Sequence, residues 1–410
     1  MGQSTFPAPS TGASYSSQPP ANASSVLLDG SLVNSASYST TLTGTGASWL
    51  LYANGAGTTT FTVGSDTYSV TAGSTVGTSA YTGSQSVTVN GLSTSTPTPF
   101  VLKTLPASTA YGYITYGNGK FVVTNSLGTT AGAYSTDGAT WTASTMLYGG
   151  PITYGTISGT GYFIAVAGNN SPGNGEYSTN GYTWTSVSIG VSTYGKWKSI
   201  AYNNGVFLTL TDGGTSNSSN VTAYSTNATT WTFGSTGDVA YYNFCIGANG
   251  YFLTGPDSNQ YFRYSSNGTS WTSAAPGGSG VGGWMAAAYG NGTWVSIQQN
   301  GTSAGTYSTV TPPNSWSTST MPSTSSWKTI AFGNGYFVAL ISNSTTGAYS
   351  TNGITWSAVT MPSGDSWNNL AYGNGKMVGT SNTSTSRAAF YSWGNLPVAY
   401  GIYNGPTATH

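Results

Sequence analysis

One phrase recurs along the chain at near-regular intervals, and it restricts the fold more than any other feature. AYSTNGITW at residues 348–356 is preceded by AYSTDGATW at 133–141, EYSTNGYTW at 176–184, AYSTNATTW at 223–231 and RYSSNGTSW at 263–271. Upstream of the phrase stands an NG or TG pair. The glycines of these pairs are Gly119, Gly161, Gly205, Gly250, Gly292, Gly335 and Gly375, spaced 42, 44, 45, 42, 43 and 40 residues apart. The chain therefore holds seven copies of one unit.

Each copy reads as an aromatic-led strand such as WKTIAF, a tight GNG turn, a second strand YFVALI, a variable loop, a short third strand AYS, a TNG turn and a fourth strand ITWSAV. Alternating apolar and aromatic positions divided by Asn-Gly turns predict antiparallel hairpins. The Tyr-to-Trp distance is 7 in five of the six copies that keep both residues, and only Tyr307 to Trp316 stretches it. A period of about 40–45 residues holding four strands is that of a β-propeller blade.

The ends of the array fix how it closes. PFVLKTLPASTAY at 99–111 reads position for position like TWSAVTMPSGDSW at 355–367, so that Phe100 stands for Trp356, Pro106 for Pro362 and Tyr111 for Trp367. This is a fourth strand without a blade. The last copy has three strands, WNNLAYG, KMVGTS and AAFYSW, and then leaves the pattern at GNLPVAYG. The predicted fold is all-β, a seven-bladed propeller closed by an N-terminal strand at about 99–106 that completes the last blade and removes an open edge.

The predicted organisation is an extended Ser/Pro/Ala-rich arm at 1–23, a small β-sandwich for attachment at 24–94, the propeller at 95–400 and a C-terminal tail at 401–410.

Composition sets the chemistry. Charged residues make up 4% of the chain, against about 25% in a typical soluble domain. With 37% hydrophobic and 14% aromatic residues the chain can still bury a core. Zero net charge argues against nucleic acid, which needs clustered Lys and Arg. No run of 18 apolar residues is present to insert in a bilayer, and the opening MGQSTFPAPSTGASYSSQPP lacks the regions of a secretory signal. Cys245, the lone cysteine, takes the repeat position of Ile200 and Ile330 and reads as core.

STDGATW, Ser135 to Trp141, resembles the Asp-box of sialidase-type (BNR) propeller repeats, one residue short between Asp137 and Gly138. The other copies carry Asn180, Asn227, Asn267 or Asn352 there, which keeps a side-chain oxygen able to bond the turn's own backbone. The box is thus a fold element.

The resemblance also implies a family that contains enzymes. Sialidases hold the substrate carboxylate with three arginines, and this chain has only Arg263 and Arg387. A carboxylate pair for glycoside hydrolysis is equally hard to find, since Glu176 is the only glutamate and Asp212, Asp238, Asp257 and Asp365 are scattered. The only histidine is His410, the final residue, and no acidic or imidazole pair stands at metal-ligand spacing. A non-enzymatic protein without cofactor or metal is expected.

Binding is then expected where the copies differ. The GNG and TNG turns should share one face, and the second-to-third-strand loops and blade connections the other. The interval from second-strand aromatic to third-strand Tyr is 13 at Phe121, 17 at Phe207 and 12 at Phe252. Variable loops on a rigid scaffold are the usual seats of recognition. The candidate ligand-binding residues are Tyr148, Tyr194, Asp212, Asn217, Asn220, Asp257, Asn259, Gln260, Tyr261, Gln298 and Gln299. Amides, hydroxyls and aromatic faces suit a neutral carbohydrate.

Charge-poor chains with a TFPAPS-like arm and repeats of the WKTIAFGNGYFVAL…AYSTNGITW kind resemble virion proteins of tailed bacteriophages, particularly fibres and related appendages. The resemblance implies location on the phage particle, docking to other tail or capsid proteins through residues 1–94, contact with host-surface polysaccharide, and self-association. A purely architectural decoration protein and a bacterial adhesin or lectin are the alternatives.

Overall fold

The structure, a computed structural model, describes residues 24–28, 37–43, 48–52, 58–63, 65–71, 75–77, 84–90, 100–168, 173–190, 196–211, 221–237, 241–257, 261–277, 283–299, 302–383, 387–392 and 400–405. Every regular element among them is a β-strand. The chain divides into two units, Met1–Thr98 with Trp393–His410, and Pro99–Ser392.

The first unit holds two four-stranded antiparallel sheets. One contains the strands Ser37–Thr43, Ser84–Asn90, Thr58–Val63 and Asp66–Thr71. In the other, Tyr400–Gly405 lies between Ser24–Leu28 and Ser48–Tyr52, with Ile402 opposite both Val26 and Leu51. The sequence reading made 401–410 a tail and ran the propeller to 400. The structure corrects both boundaries. Tyr400, Ile402 and Tyr403 are strand formers outside the repeat, so the period said nothing about them. The expected arm at 1–23 lies outside the described residues.

The second unit is a seven-bladed propeller of four-stranded antiparallel sheets. Blade 1 runs from Tyr113 to Thr145 and blade 6 from Trp327 to Thr360, each in simple strand order. The first strand of every blade is innermost and neighbours the first strand of the next, blade 7 returning to blade 1. Blade 7 takes Trp367–Gly373, Lys376–Ser381 and Arg387–Ser392 from the end of the array and Val101–Thr104 from its start. The joining ladder pairs Arg387 with Thr104 and Phe390 with Val101. Phe100 and Leu105, flanking that strand, are 3% and 2% exposed. The closure expected from the sequence is therefore present, and its anchors are the residues that align with Trp356 and Met361.

Local chemistry explains the blade. In the first hairpin Asn118, Asn204, Asn249, Asn291, Asn334 and Asn374 all have φ between 44° and 50°, a left-handed geometry that Asn tolerates and the following Gly continues. Blade 2 departs from the expected alignment. Its turn is Ser158–Gly159, and Gly161 lies inside the strand Thr160–Val166 against the Tyr154 ring. The hairpin is simply longer, because Tyr154 pairs Phe163 just as Tyr116 pairs Phe121.

In the second hairpin one serine and one Asx organise the turn. Ser135 Oγ accepts from the Asp137 and Gly138 amides at 3.2 and 2.8 Å, and Asp137 Oδ1 accepts from Ala139 and Thr140 at 2.8 and 2.7 Å. Ser178 with Asn180, Ser265 with Asn267 and Ser350 with Asn352 repeat the pattern. Asp137 shows the strength of this cradle. Burial raises its pKa, but the Thr140 and Ala139 amides and the Ser135 and Thr140 hydroxyls outweigh that and hold it at about 2.

Neighbouring blades are joined by two repeated devices. The aromatic in the middle of the first strand lies over a glycine of the preceding blade, so closely that a Cβ on that glycine would fall 2.0 Å from Tyr154 Cγ at Gly117 and 1.9 Å from Tyr372 Cγ at Gly333. Gly373 meets Tyr116 in the same way, across the closure. The junction of blades 3 and 4 is reversed. Asn203 takes the glycine position and Gly247 the aromatic one. The second device uses the turn asparagines. Asn118 donates to Thr179 O at 3.3 Å, Asn291 to Thr351 O at 3.1 Å and Asn374 to Thr136 O at 3.1 Å, the last again across the closure.

Candidate functional site

The two faces of the ring are built differently. The turn face is occupied by the asparagine contacts just described. On the opposite face, the second-to-third-strand loops bond to the blade connections. Ser126 N–H donates to Ala110 O at 2.9 Å, Gly150 N–H to Asn125 O at 3.0 Å, Gln299 N–H to Gly283 O at 3.2 Å and Asn382 N–H to Ser366 O at 2.8 Å.

The seven innermost strands enclose a cavity of about 740 Å³. Its lining includes Lys198, Asn243, Lys328, Asn368 and Asn382 at the loop-bearing end and Tyr116, Tyr154, Tyr202 and Tyr372 toward the turn end. Such a volume is within the range of small-ligand sites, about 300–1,000 Å³.

Two of the expected residues meet beside this mouth, joined to it through Asn243 of its lining. Asp257 Oδ1 accepts from Gln299 Nε2 at 2.7 Å and from Asn243 Nδ2 at 3.0 Å. Asn243 Nδ2 also donates to Trp284 O at 3.1 Å, and Asp257 N–H to Tyr241 O at 2.6 Å, so the cluster joins blades 4 and 5. Gly283 makes room for it, since a Cβ there would lie 2.4 Å from Asp257 Oδ1. Close by is the Lys328 ammonium. Burial lowers its pKa, the Lys198 charge lowers it further, and Asp257 raises it.

The other expected residues are placed less favourably. Gln298 is a correction. It is 1% exposed, at the end of the strand Thr293–Gln298 opposite Trp284, because the strand outlasts the loop the sequence suggested. Tyr148 is half-buried in the connection from blade 1 to blade 2, away from the Asp257 cluster. That connection is held by Glu176, whose carboxylate accepts from Leu147, Tyr148 and Gly149 amides at 2.7, 3.1 and 3.0 Å. Glu176 is fully buried, and burial pushes its pKa up against those three bonds. Tyr261 is 56% exposed before the strand Phe262–Ser265. Tyr194, Asp212, Asn217, Asn220, Asn259 and Gln260 lie outside the described residues.

Sequence reasoning missed Asn243, Lys198 and Lys328. Each directly follows the aromatic that opens a first strand, where blades 5 and 7 have Met285 and Asn368. Comparing that one position across copies would have found them.

The described acids of the propeller, Asp137, Glu176, Asp257 and Asp365, stand on different blades or connections, and among the described residues no three metal-ligating side chains meet. Cys245 is buried, and desolvation pushes its thiol pKa up.

Fold and cavity together define a seven-bladed β-propeller protein with a polar, loop-bearing face. Solved structures agree on that class. A streptogramin B lyase aligns at TM-score 0.56 with 15% identity, over 71% of this chain and 97% of its own. YCF48 from Cyanidioschyzon merolae aligns at 0.54 with 13% identity, over 72% and 99%. Virginiamycin B lyase from Staphylococcus aureus, in a catalytically inactive histidine-to-alanine form with quinupristin, aligns at 0.55 with 12% identity, over 75% and 100%. At these identities the likeness concerns the fold alone, and it includes enzymes. No family model and no curated protein matches the sequence, so the resemblance to Asp-box repeats and phage appendages rests on the residues alone.

Proposed function

We propose that this protein is a non-enzymatic component of a phage particle surface, a tail fibre or similar appendage, which docks through its N-terminal region and displays the propeller's loop face for recognition of host-surface carbohydrate. The observation that carries this reading is the asymmetry of the ring. One face repeats the same inter-blade bonds, while the other surrounds a cavity mouth with side chains that differ from blade to blade.

The lyase fold supplies a second reading, that of an enzyme. It is weakened by a simple comparison: the inactive form of that lyase has lost a histidine, and residues 99–392 of this chain contain none.

The test is a glycan array probed with the purified protein, combined with competition of phage adsorption and a count of copies per particle. Recognition predicts glycan binding and blocked adsorption. Many copies with neither effect would favour the decoration protein, and turnover of a bound glycan would overturn the non-enzymatic reading.

A further inference from the structure

The channel mouth has an electrostatic character that the chain as a whole lacks. Eight cationic and eight acidic residues cancel over 410 positions, yet two of the lysines occupy equivalent places on blades 3 and 6. In a ring of seven those blades stand nearly opposite each other. Both side chains line the same cavity.

Among the described residues, no carboxylate lies within ion-pair distance of Lys198 or Lys328. Among the same residues Asp257 is the acid that acts on Lys328, and its single charge, with Oδ1 engaged by Asn243 and Gln299, offsets only one of the two lysines. A half-buried ammonium facing a like charge is an unfavourable arrangement unless something anionic joins it. The fall in the Lys328 pKa agrees with this geometry.

We infer that the channel mouth is an anion-binding site, in which Lys198 and Lys328 together hold the carboxylate or phosphate of a sugar-sized ligand whose hydroxylated body enters the cavity. Asn243 and Asn368 stand beside the lysines and carry amides suited to hydroxyl groups. Deeper in, the same cavity is lined by Tyr116 and Tyr372. The site does not depend on the attachment reading, because a free sugar acid needs no cell surface.

Calorimetric titration of the full chain tests it, using glucuronate, glucose 6-phosphate, inorganic phosphate and glucose as probes. Both charged sugars should bind at one site per chain, glucose at least about tenfold more weakly, and added salt should weaken only the charged ligands. Lys198→Gln and Lys328→Gln should each cost about tenfold in affinity for the charged sugars. Lys120→Gln, which removes a cation from the turn face, should cost nothing.

Unfolding cannot imitate this result, because Lys328→Gln removes an unpaired cation and should leave the melting temperature equal or higher. Glucose binding as tightly as glucuronate, wild-type affinity in both lysine variants, or no binding of any anion at millimolar concentration would overturn the proposal. Phosphate alone binding as well as glucose 6-phosphate would overturn the part of it that places the sugar in the cavity. Glucuronate and glucose 6-phosphate separate the carboxylate from the phosphate source. A positive titration with a blank glycan array would refute the attachment function while leaving this site standing.

Discussion

The contact between each first-strand aromatic and the glycine of the preceding blade makes a quantitative prediction at the junction of blades 6 and 7. A Cβ at Gly333 would sit 1.9 Å from Tyr372 Cγ, so Gly333→Asn must displace the ring or the strand. Overpacking of this kind costs about 1–3 kcal/mol. Tyr372→Gly removes the ring instead. Full aromatic truncation costs about 3–5 kcal/mol and glycine in a strand about 0.5–1 more. Because Tyr372 is only half-buried, the lower end, about 3 kcal/mol, applies. Independent effects would then sum to about 5 kcal/mol. The double variant, however, recreates the Asn203–Gly247 arrangement already present between blades 3 and 4. Its asparagine occupies the space the ring vacates, so it should cost about 2–3 kcal/mol, a coupling of about 2 kcal/mol or more. Urea unfolding followed by tryptophan fluorescence, with the denaturant slope checked for constancy, measures all four corners of the cycle. Additivity within about 0.5 kcal/mol would show that these residues do not share one packing site and would refute the reasoning.

Four further outcomes follow from the structure. Asn374→Gly keeps the left-handed turn but loses the bond to Thr136 O, and should cost about 0.5–1.5 kcal/mol in the same unfolding assay, with Asn374→Ala costing about 1–2 kcal/mol more through backbone strain. Phe100→Ala should lower stability by about 3–5 kcal/mol although the residue lies outside the repeated array, because it anchors the closing strand, and differential scanning calorimetry will read the loss. Glu176→Ala removes the acceptor of three amides, that of Gly149 buried and those of Leu147 and Tyr148 partly buried, and should cost about 3 kcal/mol; since burial raises the Glu176 pKa, its contribution should be greatest below pH 4.5 and fall as pH rises through the folded pKa, a slope that Glu176→Gln should flatten in melts across pH 3–8. Asp137 behaves oppositely: its depressed pKa gives stability that is present above about 3.8 and lost as pH falls toward about 2, so Asp137→Asn should reduce the acid sensitivity of the melt in that window.

Much of the propeller was legible because its elements are short and the chain writes them seven times. The Asn-Gly turns, the strand alternation and the displaced fourth strand at Phe100 are local signals that repetition makes unmistakable. What escaped was set by differences between copies or by partners distant in sequence. Gly161 matched the expected dipeptide, yet the register is decided by Tyr154 pairing Phe163, which moved the turn to Ser158–Gly159. Tyr400–Gly405 obeys no period, and its partners at Ser24–Leu28 and Ser48–Tyr52 stand far away along the chain. At the candidate site, Asp257 and Gln299 were found as loop residues, whereas Asn243, Lys198 and Lys328 were hidden in strands that read as core. A first strand lines a channel with one side only where the ring closes, and that geometry exists in no single copy.

The scarcity of charge gives the two channel lysines an influence they would lack elsewhere. On an ordinary surface with about a quarter of residues charged, opposite charges fall within a screening length of about 8 Å and cancel one another's fields. Among the described residues Asp257 is the carboxylate beside the mouth, and the ring is held mainly by aromatic burial, amide-to-carbonyl bonds and serine–Asx turns, with one partly exposed ion pair between Arg387 and Asp365 at 3.4 Å. Salt should therefore leave the stability of the fold nearly unchanged while weakening any anion held between Lys198 and Lys328. One salt series, read once by melting and once by titration, separates the site from its scaffold: melting that falls in step with affinity would mean that charge holds this ring together after all.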